Sequence, residues 1–412
     1  MKLWISIALI ACSFPVLAEN RKTPPDLPPT VLVQQWIEQD PAVQEARRVL
    51  MAAVHTKNML IASPHEWSAR ISAQRRSYDT GGGASNEWSA QLERPIRING
   101  KAEIDRQLGE AETTIAQARV GEAIHEAART LLDLWIEGLS ALQAQQLFID
   151  QQSFAQSNLS AVQSRKKAGD ASALEVSVAA ADAADVQRQA SLAATNLAKA
   201  QAKLRVRFPG AQLPTRILSE PTPPAESEFQ WLRRVLEAAD PLHIAEANLR
   251  KAELTASRAS ADRVPDPTVG VFAASEAFRR ERIVGVSITI PLGGMYRQER
   301  EGQALKEVDV ARAAVDRQRR DLEATVAELY AEASGSLARW RIAEEGATAT
   351  GESARLTQRA YSLGEADLQA LLLARRQYLE ASRAALEARA DALRADYRLL
   401  VDAHLIWDLA LE

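Results

Sequence analysis

The feature that most constrains this chain is that it contains one unit twice. "WIEQDPAVQEARRVLMAA" begins at Trp36 and "VLEAADPLHIAEANLRKAEL" at Val235. Each carries an Asp-Pro pair, Asp40-Pro41 or Asp240-Pro241, at a helix start, where the missing proline N–H is harmless. Both helices end near a second turn signal, "SPHEW" in the first copy and "VPDPT" in the second. Whatever the first half folds into, the second half repeats.

Each copy continues with two strand-like runs. In the first, "SARISAQRRSY" and "EWSAQLERPIRI" flank the turn-forming "DTGGGASN"; in the second, "TVGVFAAS" and "IVGVSITIPL" flank "EAFRRER". Val286, Ile288, Ile290 and Leu292 alternate with Gly285, Ser287 and Thr289, the period-two pattern of a strand with one apolar face. Trp88, Ala90, Leu92, Ile96 and Ile98 share one face of the earlier strand, interrupted by Arg94, and Glu87, Ser89, Gln91 and Glu93 share the other.

Long helices follow. Ile104, Leu108, Ala111, Ile115 and Ala118 form a coiled-coil seam from Lys101 onward, and Val308, Val315, Leu322 and Leu329 form another after Tyr296. Both seams reach a Gly-acidic pair, Gly169-Asp170 or Gly364-Glu365, which stops one helix and restarts the next. The returning helices are expected over 172–207 and 367–408, the latter with Leu372, Leu379, Leu386, Leu393, Leu400 and Trp407 seven residues apart. At 1.5 Å per residue the outgoing helices span ~100 Å and the returning ones only about 55–65 Å. Stacking the N-terminal helix of each repeat (31–63 or 230–262) on the returning one restores equal columns.

The expected organisation is a signal peptide at 1–18, a Pro-rich segment at 19–30, repeat 1 at 31–207, a Pro-rich linker at 208–229 and repeat 2 at 230–412. Repeat 1 carries a hairpin over 68–98 and turns near 169; repeat 2 carries one over 268–292 and turns near 364. The leader "MKLWISIALIACSFPVLAEN" has one basic residue, an apolar run and Val16-Leu17-Ala18, which suits cleavage after Ala18 and removes Cys12. The alternative reads "LIAC" as a lipoprotein box that leaves Cys12 as the acylated N-terminus. A net charge of −4 with 25% charged residues of both signs interspersed gives no footprint for nucleic acid.

Past the leader, no apolar run reaches the ~18–20 residues of a spanning helix, so any membrane passage must use the strands. Strands of about ten residues suit a tilted transmembrane β-strand. In lipid every backbone donor must be paired, so a sheet survives only as a closed barrel. Four strands cannot enclose a lumen, whereas three chains would supply twelve.

This pattern resembles the TolC-like outer membrane efflux family, in particular its heavy-metal-efflux outer membrane factors. The twofold repeat carries the resemblance, together with hairpins ending in "RPIRINGK" and "TIPLGGMYR" and the turns "KKAGDASALEV" and "YSLGEADLQALL". It implies a mainly α fold with transmembrane β: a homotrimer whose long-helix α-barrel reaches into the periplasm below a shared 12-stranded β-barrel in outer membrane lipid. It also implies a periplasmic adaptor at the helical tips, which links the duct to an inner-membrane pump. The exported cargo would be metal cations or small toxic compounds. No enzymatic chemistry and no cofactor are expected.

Candidate residues for tip docking and gating are Arg165, Gly169, Asp170, Arg359, Gly364, Glu365 and Asp367. Acidic groups repeated three times around a mouth would favour cations and could pair with the arginines; the competing role for these acids is N-capping of the returning helices. The histidines His55, His65, His125, His243 and His404 have no partner at i+3 or i+4, so no metal site is expected from spacing. A periplasmic adaptor or coiled-coil scaffold is the alternative function; the four strands argue against it.

Overall fold

The computed structural model describes residues 23–79, 81 and 83–407. The expected signal peptide with Cys12, and the far end of the last helix at Asp408, lie outside these residues.

The two halves have matching elements. The first comprises α1 (Thr30–Glu38), α2 (Pro41–Ala62), β1 (Ser68–Tyr78), β2 (Gly83–Pro95), α3 (Lys101–Ala168) and α4 (Ala173–Arg207). The second comprises α5 (Glu228–Ala238), α6 (Asp240–Ala261), β3 (Thr268–Glu276), β4 (Glu281–Thr289), α7 (Met295–Leu363) and α8 (Leu368–Asp402). α2 and α6 have 22 residues each, α4 and α8 have 35 each, and α3 and α7 have 68 and 69. Among the described residues no helix is long and apolar enough to cross a membrane.

The N-terminal helix expected in each repeat is divided in two. Pro41 and Pro241 cannot sit in a helix interior, because the ring clashes with the carbonyl four residues back, so a new helix begins there. Asp40 caps α2, its Oδ1 accepting the Ala42 N–H at 2.9 Å. The last helix also stops short of the expected 408. α8 ends at Asp402, and His404 takes a φ of 55°. The chain leaves the helix so that Trp407 can bury its ring and donate Nε1–H to the Pro28 carbonyl at 3.0 Å.

α2 and α4 both pack on α3, while α6 and α8 lie between α3 and α7. The order of columns across the chain is therefore α2 with α4, α3, α6 with α8, then α7. Stacking of short helices beside long ones follows the length argument from sequence.

The main core lies where these columns are interrupted. Trp135, Leu131 and Ile136 of α3 meet Val33 and Trp36 of α1, Phe208 and Leu218 of the Pro-rich linker, Trp231 of α5 and Leu399 of α8. Asp26 anchors the N-terminal segment in this girdle. Its carbonyl accepts Trp135 Nε1–H at 2.7 Å, and its carboxylate accepts the Tyr397 hydroxyl at 2.8 Å and the Ser219 N–H at 3.0 Å. The Pro-rich linker therefore packs into the core between α4 and α5.

Candidate functional site

The sheet is a four-stranded antiparallel meander, β1-β2-β3-β4, in which β2 pairs with β3 and so joins the two repeats. Register decides which side chains share a face. Ile71 pairs with Ala90, Ala90 with Ala273, and Ala273 with Val284. The next row on that face is Ala69, Leu92, Val271 and Val286. These rows form an apolar band across all four strands, and it faces outward: Ile71 is 81% exposed, Val284 83% and Val286 75%. An exposed apolar surface of this continuity marks a partner or a lipid phase.

The opposite face is hydrogen-bonded. Ser72 and Ser89 hydroxyls lie 2.7 Å apart, Gln74 donates to Glu87 at 2.9 Å, and Arg76 pairs with Glu87 at 3.2 Å and Glu276 at 3.5 Å. Beyond β3, residues Ala277, Phe278 and Arg279 take φ values of 47°, 61° and 67°. This left-handed turn brings the Phe278 N–H to Ser85 Oγ at 2.7 Å and stacks its ring on Tyr78 at 5.7 Å. Among the described residues, the outer edges of β1 and β4 carry no further strand in this sheet.

A polar neck joins sheet to helices. Lys101, 1% exposed at the start of α3, donates Nζ–H to Val264 O and Asp266 Oδ1, each at 2.7 Å. Asp266 Oδ1 also accepts the Ile98 N–H at 3.1 Å, and its Oδ2 lies 3.1 Å from His65 Nε2. Burial pushes the Asp266 carboxyl up, but these hydrogen bonds outweigh it and hold the group below the ordinary carboxylate value.

At the far end, the two expected turns share one geometry. Gly169 and Gly364 have φ of 89° and 78°, the left-handed region that a side chain strains. Gly169 N–H reaches Lys166 O at 3.1 Å and Asp170 N–H reaches Arg165 O at 2.8 Å; the second tip repeats this with Gly364 to Tyr361 and Glu365 to Ala360. Both are Schellman caps. Asp367 caps α8 by accepting the Ala370 N–H at 2.7 Å. For α4 the cap is Ser172, in a capping box with Glu175, and Asp170 instead closes α3 through its backbone. Hydrogen bonding from the Ser172 N–H holds the Glu175 carboxyl below its ordinary value.

Arg165 binds the two tips together: Nη1 donates to the Tyr361 hydroxyl at 2.9 Å, Nη2 donates to the Asp170 carbonyl at 3.1 Å, and the guanidinium lies 5.7 Å from the Tyr361 ring. Asp170, Arg359, Glu365 and Asp367 are exposed. The Tyr361 contact was not legible in the sequence, since it joins residues 196 positions apart.

One further cluster escaped the spacing argument. His125 of α3, Asp240 at the start of α6 and His404 after α8 place ligand atoms within 4.8 Å of one another. They come from three separate segments, so no i+3 or i+4 pattern could reveal them.

Comparison with known proteins completes these observations. Residues 231–401 match the family model described as Outer membrane efflux protein. No curated protein matches the chain in sequence. Among solved structures, the outer membrane protein VceC of Vibrio cholerae is similar with a TM-score of 0.73 at 17% identity, over 90% of this chain and 95% of that one. The outer-membrane channel OprN gives 0.71 at 17% identity over 92% and 91%. CusC, described in connection with transmembrane channel formation, gives 0.68 at 16% identity over 90% and 91%.

Proposed function

We infer that this chain works as an outer membrane efflux protein, the family that its second half matches by sequence and whose fold the whole chain carries. Members of that family are channels and not enzymes. The protein resides in the outer membrane and extends into the periplasm.

The reading proposed beyond this is a passive homotrimeric conduit that receives cargo at its helical tips from a periplasmic adaptor and an inner-membrane pump. One observation carries it: the register sets an exposed apolar band on one face and a hydrogen-bonded polar face on the other, with two unpaired sheet edges. Such a sheet is complete only when sister strands close it in lipid, with the polar face lining water. The cargo proposed is metal cations or small toxic compounds; the channel named CusC among the similar structures is one of several, and the acidic tip residues are compatible with cations.

Fractionation with detergent extraction and chemical crosslinking tests the conduit: an outer membrane trimer is expected, and a soluble monomer would overturn the reading. Docking at the tips is tested separately by Gly169→Val with Gly364→Val. Efflux should be lost while trimers remain in the membrane; unchanged export of both a transition-metal salt and an organic dye would remove the tips from the docking role.

A further inference from the structure

We propose that His125, Asp240 and His404 form a binding site for a divalent transition-metal ion of the zinc and cobalt class, clamping the first repeat to the second and to the C-terminal segment. His125 is held in one tautomer. Its Nε2 lies 3.1 Å from the Val401 carbonyl, which can only accept, so Nε2 carries the proton. When the ring is neutral its Nδ1 is then a bare lone pair, and it is buried with no hydrogen-bond partner among the described residues. A ring that donates one N–H to a backbone carbonyl and offers the other nitrogen is in the state that a metal ligand requires. His125 is 6% exposed, so water does not readily satisfy that nitrogen.

The His404 ring stands edge-on to His125, centroids 4.8 Å apart at 79°. The positive φ of His404 turns the chain back toward α3 just after α8 ends. Asp240 reaches the same place from α6 because α3 has a glycine opposite it: a Cβ on Gly121 would lie 2.6 Å from both carboxylate oxygens. Gly121 is one turn before His125 on the same face of α3. Next to Gly121, the Glu122 Oε2 is buried without a hydrogen bond among the described residues. The neighbouring Asp402, whose Oδ1 lies 3.5 Å from His125 Nε2 on the side away from Nδ1, is already engaged by Arg129 at 2.8 Å.

Two imidazole nitrogens and one carboxylate oxygen are a donor set for zinc, cobalt, nickel or copper, and a poor one for calcium or magnesium, which take oxygen ligands. Bonds of about 2.0–2.1 Å place tetrahedral donors roughly 3.3–3.4 Å apart. From the 4.8 Å seen here, side-chain movements of about an ångström close the site. The site lies in the girdle core and not on the polar sheet face or at the tips, so the ion is read as a resident clamp and is distinct from any cargo.

Cobalt provides the test. The detergent-extracted protein, stripped with a chelator, is titrated with Co²⁺ alone and then with Zn²⁺. One visible-absorbing Co²⁺ per chain is expected, displaced by Zn²⁺, together with a rise in the thermal midpoint. His404→Gln and Asp240→Asn should each weaken binding by roughly 100-fold or more, and Gly121→Ala should do so by displacing Asp240. His55→Gln, on an exposed face of α2, should bind like the parent. A folded protein that takes up no Co²⁺, or uptake unchanged in all three site variants, overturns the proposal.

Discussion

The Lys101–Asp266 pair shows how much a single buried contact can control. Lys101 is nearly inaccessible, and its ammonium is compensated by Asp266, the Val264 carbonyl and Asp262 at 3.4 Å. Because the Asp266 pKa is lowered on folding, the native state favours the ionised carboxylate. That stabilisation is complete above the unfolded carboxylate value of ~3.9 and drains as pH falls through the lower folded value. Acid titration of the extracted protein should therefore show an unfolding step below about pH 4, to which Asp266→Asn contributes nothing. Lys101→Met removes the compensating charge and leaves Asp266 buried beside Ile98 and His65; a loss of about 3–5 kcal/mol is expected at neutral pH, read from the denaturation midpoint. The N-terminal anchor behaves alike. Asp26→Ala strands the Ser219 N–H inside the girdle and leaves the Tyr397 hydroxyl only the Ser219 Oγ at 3.4 Å, at a cost of about 1–3 kcal/mol for a buried group left unsatisfied. Neither contact is legible in the sequence, since Lys101 and Asp26 look like ordinary surface charges until the chain folds over them.

Elements were more legible than contacts. The alternation in "GVSITIPLGG" placed Val286 and Ile288 on one face, and the register puts Val286 opposite Val271 and Ile288 opposite Val269. Period two survives translation into structure because every residue along a strand obeys it. Likewise, the seven-residue spacing named Leu372, Leu379, Leu393 and Leu400, all of which are buried. The same spacing overran at Trp407, whose burial comes from a turn and not from a seam; periodicity records that a residue is buried but not which element buries it. The faces of β4 yield a paired prediction. Val286→Arg puts a cation on the apolar band near mid-strand, where the proposed contact with lipid would cost about 2–4 kcal/mol. Ser287→Arg, one residue on, points to the polar face beside Gln91. The amount of folded, heat-resistant assembly in the outer membrane should fall sharply for the first substitution and stay near the parent level for the second. Equal losses would mean that both faces of the sheet meet the same environment.

At the scale of the molecule, the unanswered need is lateral. α3 is covered by its own chain over much of its length, whereas α7, of similar length, has far fewer buried residues. Ile342, 71% exposed, points away from α8, because it lies about 200° around the helix from the buried Trp340. Gly346 and Ala349, both exposed, follow at helical spacing on that outer side. At the other flank of the chain, α4 buries Ala183, Val186, Ala190 and Ala193 against α3 and turns Ala184, Ser191 and Thr195 outward. Gly346 and Ala349 on one flank and Ala184 and Ser191 on the other are small, and small residues let helices approach closely. A contact between unlike flanks is head-to-tail and generates a ring once the rotation closes. Depth fixes which residues would meet. The tips are level, since Arg165 touches Tyr361; Ser191 follows Gly169, and Ile342 precedes Gly364, by about 22 residues, or ~33 Å along each helix. With Ser191→Cys and Ile342→Cys in one chain, a short bis-maleimide crosslinker should give covalent dimers and then trimers, and no larger species. Either cysteine alone should give neither, because a head-to-tail contact never brings a residue against its own copy. Dimers from a single-cysteine variant would instead reveal a two-fold interface. That arrangement would join like flanks and leave the sheet edges of β1 and β4 without the successive partners that closure in lipid requires.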